Sequence, residues 1–73
     1  MKIQAKEAKI GQTIKWGVVT ITIERIEKDY QKNGVEVLTF FGPAIRSAGR
    51  GFKPYHYKQY DISPKSETII SLK

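Results

Sequence analysis

The stretch from Val37 to Tyr60 combines positive charge with aromatic rings and contains no carboxylate. Six of the chain's eight aromatic residues and four of its Lys and Arg residues lie there. Lys and Arg neutralise phosphates, and aromatic faces stack on bases, so this composition indicates nucleic-acid binding. The residues predicted to make these contacts lie within residues 42–60 and are Arg46, Arg50, Phe52, Lys53, Tyr55, Tyr57 and Lys58.

The three cations of the glycine-rich part are spaced four and three residues apart. Arg46, Arg50 and Lys53 surround Gly49 and Gly51, and a flexible backbone would let all three side chains follow a track of phosphates. The alternative interpretation is a mobile, solvated loop that has no ligand. The absence of acids and the neighbouring aromatic residues favour binding, since solvated surfaces usually mix both signs of charge.

The tyrosines that follow alternate along a predicted strand. Tyr55 and Tyr57 should share one face, with His56 and Lys58 on the other. Two adjacent rings could form a stacking platform for bases, or they could close the core with their hydroxyls at its rim. Trp16 allows the same two interpretations.

No residue pattern indicates catalysis or a cofactor. His56 is the only histidine and the chain has no cysteine, while the acids nearest to His56 in sequence are Asp61 and Glu36, so a metal site is not expected. Ser47 does not lie in a nucleophile elbow, and residues 42–49 lack the Gly-Lys-Ser/Thr ending of a phosphate-binding Walker loop. We therefore predict a noncatalytic protein without a cofactor.

Length and composition indicate one small domain that spans residues 1–73. Ordering 73 residues costs on the order of 110 kcal/mol of conformational entropy. Without cysteine no disulfide can offset this cost, so compact β packing or oligomerisation must do so. The net charge is +6, and no apolar run of signal-peptide or membrane length follows Met1, which predicts a cytoplasmic protein with no membrane contact.

β-branched residues predict strands through much of the first half. Between Val18 and Tyr30 apolar residues alternate until the pattern slips by one near Glu24 and Arg25, which indicates a bulge or sharp bend. Ile21 and Ile23 are expected in the core.

A hairpin turn is predicted at Asn33-Gly34, because both residues tolerate the positive φ of a type I′ turn. In that register Tyr30 would face Val37 and Ile26 would face Phe41, with one phenylalanine exposed.

Gly42 and Pro43 are expected to end the strand that follows the hairpin. The segment from there to Pro54 contains three glycines and two prolines, which indicates a long loop. Residues 55–62 and 68–72 are predicted as the last strands. Together these segments predict an all-β chain of five or six strands with one long basic loop and no substantial helix.

The run Ala5-Lys6-Glu7-Ala8-Lys9-Ile10-Gly11-Gln12-Thr13-Ile14, followed by a long hairpin that turns at Asn33-Gly34, resembles small SH3-like barrels of the KOW type. The resemblance covers about residues 1–42. It implies a β-barrel and nucleic acid as a partner, and it assigns no role to an individual residue.

Two main classes of function agree with these features, and a third, an enzyme or an enzyme inhibitor that occupies another protein's nucleic-acid site, is left open. The first is a noncatalytic barrel that binds nucleic acid through residues 42–60, where DNA and RNA, single and double strands remain open. The alternative is a protein interaction module or assembly subunit, including a phage or mobile-element accessory protein, that uses Val37, Phe41 and the tyrosines against an acidic protein surface. Neither interpretation fixes the oligomeric state.

Overall fold

The computed structural model describes all of residues Met1–Lys73 and shows an all-β protein. Its strands are β1 (Lys2–Gln4), β2 (Thr13–Trp16), β3 (Val19–Thr22), β4 (Arg25–Tyr30), β5 (Glu36–Arg46), β6 (Tyr55–Ile62) and β7 (Ile69–Leu72). The helical content is one 3₁₀ turn, Ala5–Glu7, and no helix has the length and apolar character needed to cross a membrane. The all-β prediction is confirmed, with seven strands instead of five or six.

All strands belong to one antiparallel sheet that curls into a half-barrel. Hydrogen-bonded neighbours follow the order β1-β7-β2-β3-β5-β4, and β6 pairs with the other edge of β5. The first half of β5 pairs with β4 and its second half with β3. A single strand therefore connects three neighbours and organises the sheet.

The core covers one face of this sheet, which we call the inner face. Along β5 the buried residues alternate, with Leu38, Phe40, Gly42 and Ala44 pointing inward. Ile21 and Ile23 are also buried, as predicted. The apolar core cluster consists of Ile3, Ala5, Ala8, Ile14, Val19, Ile21, Ile23, Leu38, Phe40, Ala44, Ile62 and Ile70.

The predicted slip in alternation lies between β3 and β4 and is confirmed. The N–H of Glu24 donates to the carbonyl oxygen of Phe41 at 2.7 Å, while Ile23 stays in the core. This break lets two consecutive segments, β3 and β4, pair with the same edge of β5.

The hairpin turns where it was predicted, but the turn type is different. The N–H of Gly34 donates to the Gln31 carbonyl at 2.9 Å, and the N–H of Gln31 donates to the Val35 carbonyl at 2.9 Å. Gly34 has φ +83° and no residue other than glycine has positive φ, so Asn33 does not adopt the left-handed conformation of a type I′ turn. The prediction of that type is wrong: these bonds describe a three-residue loop that ends in a glycine bulge.

The longer loop moves the strand register by one residue. Tyr30 pairs with Glu36, and Ile26 pairs with Phe40, so each partner lies one position before the predicted one. Phe40 consequently enters the core and is fully buried.

β5 also extends further than expected. Gly42 and Pro43 do not end it, because the strand continues to Arg46 with β3 and β6 paired to its two edges. The loop predicted over residues 42–54 is therefore wrong in its first part and begins at Ser47. Pro43 is tolerated because it lies at the point where the register between β5 and β6 shifts, so its missing N–H breaks no regular ladder.

Gly42 lies beside the end of β3. A Cβ atom built on Gly42 would overlap the carbonyl oxygen of Thr22 and lie 3.2 Å from the amide nitrogen of Glu24. Both obstacles are backbone atoms, so no rotamer change could relieve the overlap. Only glycine fits here without displacing the chain.

We expect Gly42→Ala to lower the free energy of unfolding by at least about 2 kcal/mol, because the added methyl group would overlap the backbone of Thr22. Urea unfolding measures the loss. Gly17→Ala is the matched control: its φ is +62° with open space around it, so it should cost only about 1 kcal/mol of backbone strain. A Gly42→Ala protein that is at least as stable as the Gly17→Ala control would show that β5 and β3 separate at little cost.

Gly34→Val should also destabilise the protein, by about 1–2 kcal/mol, because a β-branched side chain is strained at positive φ. Gly34→Asn should cost less, since asparagine tolerates this conformation better. Thermal melts of both variants test the assignment, and an unchanged melting temperature for Gly34→Val would exclude positive φ in solution.

Candidate nucleic-acid interface

β6 separates its side chains onto two faces as predicted. Tyr57 pairs with the buried Ala44, which places it on the inner face, and Tyr55 pairs with Arg46 on the same side. His56 pairs with Ile45 on the opposite, outer face. Lys58 follows Tyr57 and is exposed.

Four of the predicted contact residues meet at one shallow cleft of about 500 Å³. The end of β5, residues 47–54 and the start of β6 all contribute to it. Phe52 is 75% exposed and Tyr55 is 59% exposed, so their rings are accessible to a ligand. The residues that line the cleft are Arg46, Ser47, Ala48, Phe52, Tyr55 and Tyr57.

The loop of residues 47–54 has few backbone bonds of its own. The N–H of Ser47 donates to the Val18 carbonyl at 2.8 Å, and the N–H of Phe52 donates to the Gly49 carbonyl at 3.3 Å. Gly49 and Gly51 have φ of +98° and +84°, a conformation that glycine adopts without strain. These turns bring Phe52 back toward β6.

The predicted cations are exposed and form no ion pair. Side-chain ion pairs occur only on another part of the sheet, between Arg25 and Glu27 at 3.4 Å and between Lys28 and Glu36 at 3.8 Å. The structure brings one cation into the cleft and places two on the adjoining loop and one on the outer face. Arg46 lines the cleft, Arg50 and Lys53 lie on the loop, and Lys58 lies on the outer face.

A bulge in β6 adds Tyr60 to the inner face. Tyr57 pairs with Ala44 and Tyr60 pairs with Gly42, so two residues of β6 lie opposite Pro43 alone. The rings of Tyr57 and Tyr60 consequently meet, with centroids 4.7 Å apart and planes tilted by 35°. Simple alternation along the sequence would have placed these two rings on opposite faces.

Trp16 lies at the rim of the same face. It pairs with Val19, Val19 pairs with Arg46, and Arg46 pairs with Tyr55, which forms one row across four strands. Trp16 remains 37% exposed at the end of this row. The sequence identified it as a candidate but contained no signal that joins it to the tyrosines, because the link is a strand pairing between distant segments.

Val37 and Phe41, considered for a protein partner, are both half-buried. The guanidinium of Arg25 covers the ring of Phe41 at 4.2 Å from its centroid. Val37 forms a backbone bridge with Lys65. The exposed aromatic area is therefore greater at the cleft than at this pair.

In comparisons with known proteins, no family model, curated protein or solved structure matches the chain. No three His, Cys, Asp or Glu side chains form a group that could hold a metal ion. The chemistry that the cleft offers is a cation, hydroxyl groups and aromatic rings.

We expect the amides of residues 49–53 to exchange rapidly with solvent, because the loop is exposed and only Phe52 among them donates a bond within it. Adding a ligand for the cleft should slow this exchange. Hydrogen exchange followed by NMR tests both statements, with the amides of Phe40 and Ile21 as protected references. Slow exchange throughout the loop of the free protein would indicate that Phe52 packs on the core.

Proposed function

We propose that this protein is a noncatalytic, SH3-like β-barrel protein that binds nucleic acid. The observation that carries the proposal is the meeting of Arg46, Phe52, Tyr55 and Tyr57 at one cleft. A cation beside accessible rings matches a phosphate beside a base. The SH3-like assignment is part of the proposal and is supported by the curled all-β sheet and by the resemblance of the first 42 residues.

The proposed binding mode divides the predicted residues into three roles. Phe52, Tyr55 and Tyr57 stack on bases, because their rings line the cleft. Arg46 holds a phosphate at the edge of the cleft, and Arg50 and Lys53 follow the backbone beyond it from the loop. Lys58 faces the opposite side of β6, so it contributes long-range attraction and not a contact in the cleft.

Unpaired strands fit this arrangement better than duplexes. Base faces are covered by their neighbours in a duplex, whereas a single strand can present them to aromatic side chains. A cleft of about 500 Å³ is in the size range of sites for small ligands and does not resemble a surface that spans a helical groove. We therefore expect single strands to bind more tightly than duplexes of the same length.

The charge contribution is tested by replacing Arg46, Arg50 and Lys53 with Ala together. Each cation that neutralises a phosphate of a single strand contributes about 0.7 to the slope of log affinity against log salt, so the slope should fall by about 2. A labelled oligonucleotide is titrated by fluorescence anisotropy at several salt concentrations. The matched control has Lys6, Lys9 and Lys32 replaced with Ala, an equal charge change at exposed positions outside the cleft. Its slope should stay steeper than that of the variant that lacks the three cleft and loop cations.

Stacking predicts a different signature for the tyrosines. Tyr55→Leu and Tyr57→Leu should each weaken binding by about 1–3 kcal/mol with little change in salt slope, because stacking releases no counterions. Circular dichroism checks folding of each variant.

If the wild-type protein binds no oligonucleotide at low salt, or if the triple Ala variant keeps the full slope, the proposal fails and a protein partner becomes the better explanation of the cleft.

A further inference from the structure

A second pocket adjoins the cleft on the inner face and has a different chemical character. Its volume is about 450 Å³, and it lies between the β2–β3 turn and the end of β6. No Lys or Arg residue lines it, so a phosphate would find no cationic partner there. Its lining residues are Trp16, Gly17, Val18, Val19, Tyr60, Asp61, Ile62 and Ser63.

The inward-facing walls of this second pocket are apolar and aromatic. Trp16 shares a face with Val19, and Tyr60 shares a face with Ile62. Asp61 pairs with Phe41, which lies on the outer face, so alternation directs its carboxylate away from the pocket. Such walls suit a flat, uncharged group.

The two pockets share a wall. Tyr57 lines the first and Tyr60 lines the second, and their rings are in contact at 4.7 Å between centroids. Each pocket has further aromatic lining: Phe52 and Tyr55 in the first, and Trp16 in the second. Ligand groups that occupy both pockets would therefore be separated by one pair of tyrosine rings.

We propose that the second pocket binds another unpaired base of the same strand, adjacent to the base in the first pocket, with Trp16 as its stacking partner. This inference rests on the proposed function. The row from Trp16 through Val19 and Arg46 to Tyr55 supports it, because Arg46 lies between the two aromatic ends and reaches the phosphate that joins the two nucleotides. The second pocket, which has no cation, binds the base, and Arg46 binds the phosphate between the two nucleotides.

Trp16 is the only tryptophan, so its fluorescence reports directly on the second pocket in the unmodified protein. A single-stranded oligonucleotide that binds as proposed quenches this emission, with a titration curve that superimposes on the anisotropy curve of the labelled strand. Trp16→Leu should weaken binding about 5- to 100-fold at an unchanged salt slope, whereas Trp16→Phe should retain most of the affinity. The matched control is Tyr30→Leu, which removes a 61%-exposed ring on β4 that lines neither pocket and should change nothing.

An oligonucleotide in which every second base is absent tests whether the two bases are neighbours. It keeps all phosphates but allows only one pocket to be filled at a time. The loss caused by Trp16→Leu should then shrink to about twofold or less, because the strand can still place its base in the first pocket.

The outcomes separate this inference from the function on which it rests. If the strand binds by anisotropy while Trp16 emission stays constant, and Trp16→Phe and Trp16→Leu bind as tightly as wild type, the second pocket is only an uncovered part of the core and the inference is overturned. An equal loss for the intact and the alternately abasic strand overturns the neighbouring arrangement. If no oligonucleotide binds the wild-type protein, both the function and the second pocket are rejected.

Discussion

The close passage of Gly42 beside the Thr22 carbonyl is the constraint on which the sheet depends. Because no side chain separates the two strands at this point, β5 can continue beside β3 to Arg46 instead of ending at Pro43. The continuation gives β3 and β6 a common partner. If β5 ended at Gly42, the inner face would lose the row in which Val19, Arg46 and Tyr55 stand side by side.

The cleft follows from the same extension. Arg46 is the last residue of β5, and the loop that begins at Ser47 is anchored by its bond to the Val18 carbonyl. Phe52 then lies on the rim because the chain must return within a short loop to start β6 at Tyr55. A charge placed by one strand and rings placed by the next are thus brought together by backbone pairing, and no buried polar network is needed to hold them.

Local patterns in the sequence predicted much of the first half of the fold and part of the site. The alternation break near Glu24, the burial of Ile21 and the shared face of Tyr55 and Tyr57 depend on near neighbours, so they could be derived from spacing. The turn at Gly34 was located correctly, but its type and register depend on one extra loop residue that several hairpin loops would allow.

The remaining features depend on pairing between distant segments, which spacing alone does not reveal. Turn preferences at Gly42 and Pro43 suggested a strand end, and pairing along both edges of β5 outweighed them. The bulge in β6 changed the face of Tyr60, and the position of Trp16 beside the cleft depends on three successive strand pairings. Residues that are far apart in sequence share a surface here because their strands pair in one sheet.

The pairing of β1 with β7 has a consequence for the order in which the fold assembles. It joins Lys2 to Ser71 and Gln4 to Ile69, so it closes a loop of nearly the whole chain, whereas the β4–β5 hairpin closes across a few residues. Loop closure costs more entropy over longer distances, and non-local pairs slow folding. The hairpin can therefore form early, while the β1–β7 seam completes the sheet late. Stability measured at the seam and at the hairpin would accordingly report on two different stages of one unfolding reaction.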